Sequence, residues 1–148
     1  MRPFYLALLA AILLLNAFAE DSHPAYRYGL IQASCAPWDG ATVDITLTPT
    51  PLACKRSPEG RFLRMGVWKD LPIHAGQVVK ISRGTSNGFA SRCRKEGDCE
   101  AVESAEITFD TYKEGSGATG SYELHFKGGD TMIGRFEVKW CDVQVMCG

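Results

Sequence analysis

Acidic side chains in alternating segments are the first candidates for chemistry in this sequence. Glu106, Asp110, Glu123 and Glu137 alternate with apolar residues, so they could converge across neighbouring strands. A glycosidase needs two carboxyl groups about 5–9.5 Å apart across a cleft. The same alternation is typical of the solvated, convex face of an antiparallel sheet. We therefore favour a solvated face and keep glycan hydrolysis as the alternative.

The three histidines form no recognisable catalytic or metal-binding motif. His23 lies near the start of the chain, His74 in the loop-like LPIHAG, and His125 in an alternating segment. None has the spacing of H-x-x-x-H or H-E-x-x-H, and no G-x-S-x-G elbow occurs. The sequence predicts no cofactor and no metal. A small hydrolase that combines acidic residues with His74 or His125 remains the catalytic alternative.

The first nineteen residues predict an export signal. Arg2 precedes an apolar run from Phe4 to Leu15, and Ala17-Phe18-Ala19 follows. This order of a basic region, a short apolar region and an A-x-A site is typical of a cleaved signal peptide. The apolar run is shorter than the roughly 20 residues that span a bilayer. We predict cleavage before Glu20 and one all-β domain over residues 20–148, in the periplasm or outside the cell.

Cysteine usage agrees with export. The chain has an even number of cysteines, which in an oxidising compartment predicts three disulfides. A sulfur in a disulfide cannot act as a thiolate nucleophile, and no C-x2-C pair suggests zinc. The predicted disulfide cysteines are Cys35, Cys54, Cys93, Cys99, Cys141 and Cys147.

The pairing of these cysteines is open in the sequence. Nearest-neighbour pairing gives Cys35–Cys54, Cys93–Cys99 and Cys141–Cys147. We favour Cys93–Cys99 most, because CRKEGDC is a short polar loop with a glycine that lets it turn. If the DVQV between Cys141 and Cys147 is extended, their sulfurs are too far apart and Cys147 must bond elsewhere.

Alternating apolar and polar residues predict a chain of strands with almost no helix. The fold class is an antiparallel β-sandwich or a small closed β-barrel of about 7–8 strands, stapled by disulfides. We expect a C-terminal meander, with the N-terminal half forming the rest of the sandwich. One helical turn is possible near Glu100–Ser104. The predicted strands are Ala25–Ala33, Thr42–Thr48, Arg61–Lys69, Gln77–Ser82, Ser104–Tyr112, Ser121–Lys127, Met132–Trp140 and a short piece within 142–146.

The last three long strands predict one shared buried face, because side chains alternate faces along a strand. Acidic and basic residues alternate with these apolar positions, so the opposite face should carry ion pairs in solvent. The residues expected on the buried face are Ile107, Phe109, Tyr122, Leu124, Phe126, Phe136, Val138 and Trp140.

Two polar stretches are candidate contact surfaces. In CAPWDG, Trp38 and Asp39 should lie in a turn that a disulfide of Cys35 holds rigid. Tryptophan is enriched at binding hot spots, so Trp38 is a candidate anchor. Large aromatic side chains are mostly buried, however, and we favour an indole that folds back over the core. Arg94 and Lys95 could contact an acidic protein, although the acidic residues that follow them also fit a solvated loop.

One short motif resembles a known family. SGATGSY, with Ser116, Gly117 and Tyr122, resembles the Ser-Gly-x-x-Tyr loop of periplasmic lysozyme inhibitors, which are small exported β-proteins. The tyrosine is displaced relative to that motif, and the resemblance covers only these residues. It implies Ser116 and Gly117 as contact residues on a loop.

These observations favour a binding protein over an enzyme. The formal net charge of −1 gives no reason to expect nucleic acid or anionic lipid as a partner. We expect an exported, non-catalytic protein whose loops engage another protein in the envelope or outside the cell, as an inhibitor or immunity factor does. An envelope assembly module and a small cell-wall glycan hydrolase are the alternatives.

Overall fold

The computed structural model describes residues 25–148. The predicted export signal, its cleavage site and His23 lie outside the described residues. The described chain contains nine strands and no helix. They are β1 (Tyr28–Cys35), β2 (Ala41–Thr48), β3 (Phe62–Val67), β4 (Val78–Ser82), β5 (Gly88–Lys95), β6 (Asp98–Ala101), β7 (Ser104–Lys113), β8 (Gly117–His125) and β9 (Thr131–Cys141).

All nine strands belong to one curled sheet with the order β4-β7-β8-β9-β1-β2-β3-β5-β6. Every neighbouring pair is antiparallel except β1 and β9, which run parallel. The all-β prediction and the C-terminal meander β7-β8-β9 are confirmed. The expectation of a sandwich or closed barrel is replaced by a single sheet that curls into a half-barrel. The N-terminal strands continue this sheet and do not form a second layer.

The sequence does not predict strands β5 and β6. The helical turn near Glu100 and the short C-terminal strand that it does predict are absent from the described chain. In β5 the buried positions include Gly88, Ala90 and Cys93, so small residues alternate with polar ones and no large apolar pattern is visible. Strand β6 is exposed along its whole length and has no apolar face. It includes Glu100, where a helical turn was predicted, and residues 142–146 form no strand.

The short connections show how far the sheet curls. Residues 83–87 join edge strand β4 to β5, and residues 102–103 join edge strand β6 to β7. Two linking residues reach only about 10 Å, so both edges of the sheet must lie close together. Glu103, which follows β6, accepts the Arg83 N–H from the residue after β4 over 3.0 Å, and its own N–H donates to the His125 carbonyl at the end of β8 over 2.7 Å.

The core lies inside the curl. Seven of the eight residues predicted for the shared face are buried, and Trp140 is partly buried against the core. Strands β1–β3 add Ile31, Ile45, Leu47, Leu63 and Met65, all fully buried. At about 1.5–3 kcal/mol for each large apolar side chain buried, this continuous cluster supplies most of the drive to fold.

The outer face of the meander carries ion pairs, as the sequence predicts. Lys80 on β4 lies 3.4 Å from Glu106 on β7, and Arg135 on β9 pairs with Asp110. These side chains are largely exposed, so each pair adds only about 0–1 kcal/mol. The charged residues that alternate with apolar ones on these strands therefore form a solvated outer face, the interpretation that the sequence favours.

The disulfides confirm one predicted pair and correct two. Cys93–Cys99 joins β5 to β6 across a hairpin, as predicted. The nearest-neighbour pairs of the other four cysteines are wrong: Cys35 bonds Cys147, and Cys54 bonds Cys141. The physical reason is the parallel pairing of β1 with β9, which brings the last residues of the chain beside the end of β1.

Removing the Cys54–Cys141 disulfide should cost more stability than removing Cys93–Cys99. Its cysteines are 87 residues apart in sequence against 6 for the hairpin bond. The entropy of the unfolded chain then predicts losses of about 4–5 and about 2 kcal/mol, respectively. The pairs are well matched, because each has one buried and one exposed cysteine. Urea unfolding of C54A/C141A and C93A/C99A measures both losses, and equal losses would contradict the expectation.

Arg92 connects β5 to the far side of the curl. Its guanidinium lies 2.6 Å from Asp130 in the β8–β9 turn and 2.7 Å from Glu100 on β6. It also stacks over the ring of Phe126, 4.2 Å from the ring centroid. One side chain thus joins strands β5 and β6 to the β8–β9 turn, whereas Arg94 is exposed and lies 3.9 Å from Asp98.

We expect R92A to lower the free energy of unfolding by about 1–3 kcal/mol, because it removes two charge-assisted hydrogen bonds and a cation–π contact. R94A should change it by less than about 0.5 kcal/mol, as exposed ion pairs contribute little. Urea unfolding measures both values, and similar effects of the two variants would show that Arg92 does not hold the curl.

Candidate functional site

The register places the predicted contact residues at two opposite ends of the sheet. Cys35 ends β1 where β9 ends, and Gly117 begins β8 beside Lys139 of β9. Trp38, Asp39, Ser116 and Gly117 therefore share one end of the sheet. We call this end the Trp38 rim: the turn 36–40, the turn 114–116 and the C-terminal residues 142–148. Arg94 and Lys95, at the end of β5, lie at the opposite end.

The turn that carries Trp38 is tightly closed. Ala36 donates its N–H to the Gly40 carbonyl over 2.8 Å, and Asp39 donates to the Ala36 carbonyl over 2.9 Å. Asp39 has a φ of 63°, a left-handed conformation that aspartate adopts more readily than most residues. The Cys35–Cys147 disulfide fixes the base of this turn.

The indole of Trp38 is supported on one side and open on the other. It is 52% exposed and packs edge-on against Trp68, with ring centroids 5.5 Å apart. Trp68 in turn packs on Phe89, with centroids 5.6 Å apart. A Cβ atom on Gly40 would lie 2.9 Å from the indole nitrogen, so this glycine leaves room for the ring. Trp38 is therefore presented by the aromatic residues beneath it and does not cap the core.

Residues 142–148 add apolar surface to the same rim. Met146 is 91% exposed and precedes Cys147, whose disulfide ties it to the base of the Trp38 turn. Val145 is also exposed. Asp39, Glu114 and Asp142 are exposed acids of the same rim, and Lys55 lines one groove with Glu114, Asp142 and Val145. The rim thus combines exposed apolar groups with charged ones, as many protein interfaces do.

The β7–β8 turn is held by its backbone. Ser116 accepts the Trp140 N–H through its carbonyl over 2.9 Å, and its own N–H donates to the Lys113 carbonyl. A Cβ atom on Gly117, whose φ is 148°, would lie 2.2 Å from the Val138 carbonyl oxygen. Gly117 is therefore required for the close approach of β8 to β9, while the Ser116 side chain is exposed.

Tyr122 does not fit the lysozyme-inhibitor resemblance. It lies inside the core at 4% exposure, and its hydroxyl donates to the Tyr26 carbonyl. Burial raises the pKa of Tyr122 to about 12. The tyrosine that the motif places on a loop is thus a core residue here, and only Ser116 and Gly117 lie at the turn.

A second site was not found by sequence reasoning. Residues 52–58 of the β2–β3 connection cover the outer face of β1–β3, held there by the Cys54–Cys141 disulfide. Between them lies a cavity of about 370 Å³, which we call the Asp44 cavity. The alternation in TVDITLT predicted a strand with Asp44 on its polar side. That side is covered, so Asp44 is only 6% exposed and is the one buried carboxylate among residues 25–148.

Burial shapes the electrostatics of Asp44. The nearest cation is Arg64, whose Nη2 lies 3.4 Å from Oδ2, and the Ser34 side chain also hydrogen-bonds the carboxylate. Desolvation raises the pKa of Asp44, and the stabilisation of its charge by Arg64 and Ser34 offsets this only in part. Asp44 is therefore less stable as an anion here than in water.

The acidic candidates and His125 lie on the exposed outer face of the meander, whereas His74 is exposed in the loop before β4. Glu106 and Glu123 are direct cross-strand partners, but Glu106 pairs with Lys80 and Glu123 with His125. Both ring nitrogens of His125 are engaged, Nε2 by Glu123 at 2.9 Å and Nδ1 by the Thr131 hydroxyl at 3.1 Å. In residues 25–148 no three His, Cys, Asp or Glu side chains are arranged to hold a metal ion.

Comparison with known proteins adds no relative. No family model, curated protein or solved structure matches this chain. Over residues 25–148 there is also no helix that is long and apolar enough to cross a bilayer. The Trp38 rim and the Asp44 cavity are therefore the features of the described chain that bear on function.

The raised pKa of Asp44 predicts how stability depends on pH. An acid with a raised folded-state pKa favours folding when protonated, so its contribution is present below the unfolded pKa and is lost as pH rises through the folded value. We expect D44N to gain stability relative to the unmodified chain between about pH 3 and pH 7. Urea unfolding across that range measures the gain. D110N, which changes an exposed carboxylate, controls for net charge, and a pH-independent difference for D44N would contradict the expectation.

Proposed function

We propose that this chain is an exported, non-catalytic binding protein whose Trp38 rim engages another protein, as an inhibitor or immunity factor does. The observation that carries the proposal is the half-exposed Trp38 indole, supported from below by Trp68 on a turn that a disulfide closes. Tryptophan in a rigid surround contributes large contact area with little loss of side-chain entropy on binding.

Bracing of the rim supports the same proposal. Two disulfides hold the C-terminal end of the chain, Cys35–Cys147 at the Trp38 turn and Cys54–Cys141 at the end of β9. A surface that is already ordered before binding loses less conformational entropy in the complex. Enzymes also use rigid sites. Here, however, the catalytic candidates Glu106, Glu123 and His125 are engaged in ion pairs on an exposed face.

The proposed location is the periplasm or the extracellular space. Three disulfides are compatible with an oxidising compartment. The export signal predicted over residues 1–19 supports the same location. A protein partner there, and not nucleic acid, fits the exposed acids Asp39, Glu114 and Asp142 of the Trp38 rim.

The proposal is tested by affinity capture with immobilised residues 20–148 and an extract of the envelope and medium of the source cell. We expect a specific partner in mass spectrometry, and W38A should lose it by about tenfold or more, as hot-spot truncations do. Because the Trp38 side chain is half-exposed, W38A should keep most of its stability.

R94A/K95A is the matched control, since it alters the opposite end of the sheet. Retention of the partner by R94A/K95A with loss in W38A supports the Trp38 rim. Loss in R94A/K95A with retention in W38A would move the contact to the opposite end. Recovery of a large assembly through both ends would favour an envelope assembly module. Cleavage of peptidoglycan or another glycan by the purified protein would overturn the non-catalytic proposal.

A further inference from the structure

The Asp44 cavity has the features of a small-molecule site that is separate from the Trp38 rim. Its volume of about 370 Å³ falls within the range of ligand pockets, about 300–1,000 Å³. One wall is the sheet and the other is the segment 52–58, which the Cys54–Cys141 disulfide fixes in place. The cavity is therefore formed before any ligand arrives.

Asp44 retains capacity to accept hydrogen bonds in this cavity. A carboxylate can accept about four hydrogen bonds, and charge-assisted ones are normally about 2.7–2.9 Å long. The Arg64 contact is longer, at 3.4 Å, and the Arg64 side chain is 53% exposed. The Ser34 side chain supplies one further hydrogen bond. On β3 the direct neighbour of Asp44 is Gly66, and the ring of Phe89, which has no hydrogen-bond donor, lies over this glycine. A buried carboxylate that is only partly compensated attracts a cationic donor.

The covering segment supplies the opposite charge. Lys55 and Arg56 line the cavity from segment 52–58, and Glu96 lines it from the β5–β6 turn. The lining therefore holds three cationic groups, Lys55, Arg56 and Arg64, and two anionic groups, Asp44 and Glu96. A simple ion of either sign would meet groups of its own charge. A molecule with both charges satisfies both ends of the cavity.

Apolar residues complete the lining. Leu30 and Phe62 contribute from the sheet, Leu52 and Pro58 from the covering segment, and Val143 from the chain after β9. An apolar side chain on the ligand would remove water from these groups at a gain of about 25 cal/mol per Å² buried. The lining thus matches a molecule that has an ammonium group, a carboxylate and an apolar part.

We propose that the Asp44 cavity binds a small apolar amino acid or dipeptide, with its ammonium on Asp44 and its carboxylate on Lys55 and Arg56. The Trp38 rim and this cavity then recognise different molecules. The proposal does not depend on the function proposed for the Trp38 rim.

The probe for the test is L-leucine, titrated into residues 20–148 and followed by amide chemical shifts and by calorimetry. We expect saturable binding, with the largest shifts in segment 52–58 and in β2. N-acetyl-L-leucine lacks the ammonium group and L-leucinamide lacks the carboxylate. Each should bind about tenfold more weakly, as loss of one charged contact predicts.

D44N and K55A/R56A should each lower the affinity for leucine by about tenfold. D110N and K80A/R83A remove the same charges from exposed positions elsewhere and should leave it unchanged. K55A/R56A alters only exposed residues, so it keeps the test valid if D44N folds poorly. Absence of saturable shifts, equal binding of either derivative, or unchanged affinity in K55A/R56A would each overturn the proposal.

Discussion

The parallel pairing of β1 with β9 is the contact on which the rest of this structure depends. It joins the first described strand to the last, and it lies at the centre of the sheet order, with three strands beyond β9 and four beyond β1. Through this pair the five-stranded unit β1-β2-β3-β5-β6 and the four-stranded unit β4-β7-β8-β9 become one sheet. Without it neither unit would bury its inner face against the other. It also delivers residues 142–148 to the end of β1, where Cys147 reaches Cys35.

Curling of this sheet creates two unlike outer faces. The outer face of the meander is exposed and carries ion pairs that are typical of a solvated surface. The outer face of β1–β3 is covered in part by segment 52–58, and Asp44 on this face is buried. The Cys54–Cys141 disulfide ties the covering segment to the end of β9. Asp44 and Glu106 both lie on the outer side of alternating strands, but Asp44 is buried and Glu106 is exposed. Desolvation raises the pKa of Asp44.

Local patterns predicted the strands but not their arrangement. Ile107, Phe109, Leu124 and Phe136 alternate with charged residues, so the meander and its buried face could be read from the sequence. Strand β5 could not, because its buried residues are small, and β6 has no buried side at all. The β1–β9 pair joins segments about a hundred residues apart, and no local signal encodes such a contact.

The candidate sites show the same division. CAPWDG predicts a rigid turn, but burial statistics favour an indole folded over the core, and the support of an exposed Trp38 by Trp68 needs a contact between two distant turns. The Asp44 cavity was missed because a polar residue in an alternating strand is normally solvated. Only tertiary contacts with segment 52–58 and with the Phe89 ring bury Asp44. For Tyr122 two sequence signals disagree, because the motif places it on a loop and the strand alternation places it in the core. The alternation is right, since Tyr122 is buried.

The order of the disulfides along the chain has a consequence for maturation. Cys35 and Cys54 are synthesised long before Cys141 and Cys147, with which they finally bond. A nascent chain that oxidises as its cysteines emerge would join Cys35 to Cys54 first, and only thiolate attack on that bond could release them. Correct maturation therefore requires that these early thiols stay reduced until synthesis ends, or that thiolate exchange, by the chain's own later cysteines or by an isomerase, replaces their bond.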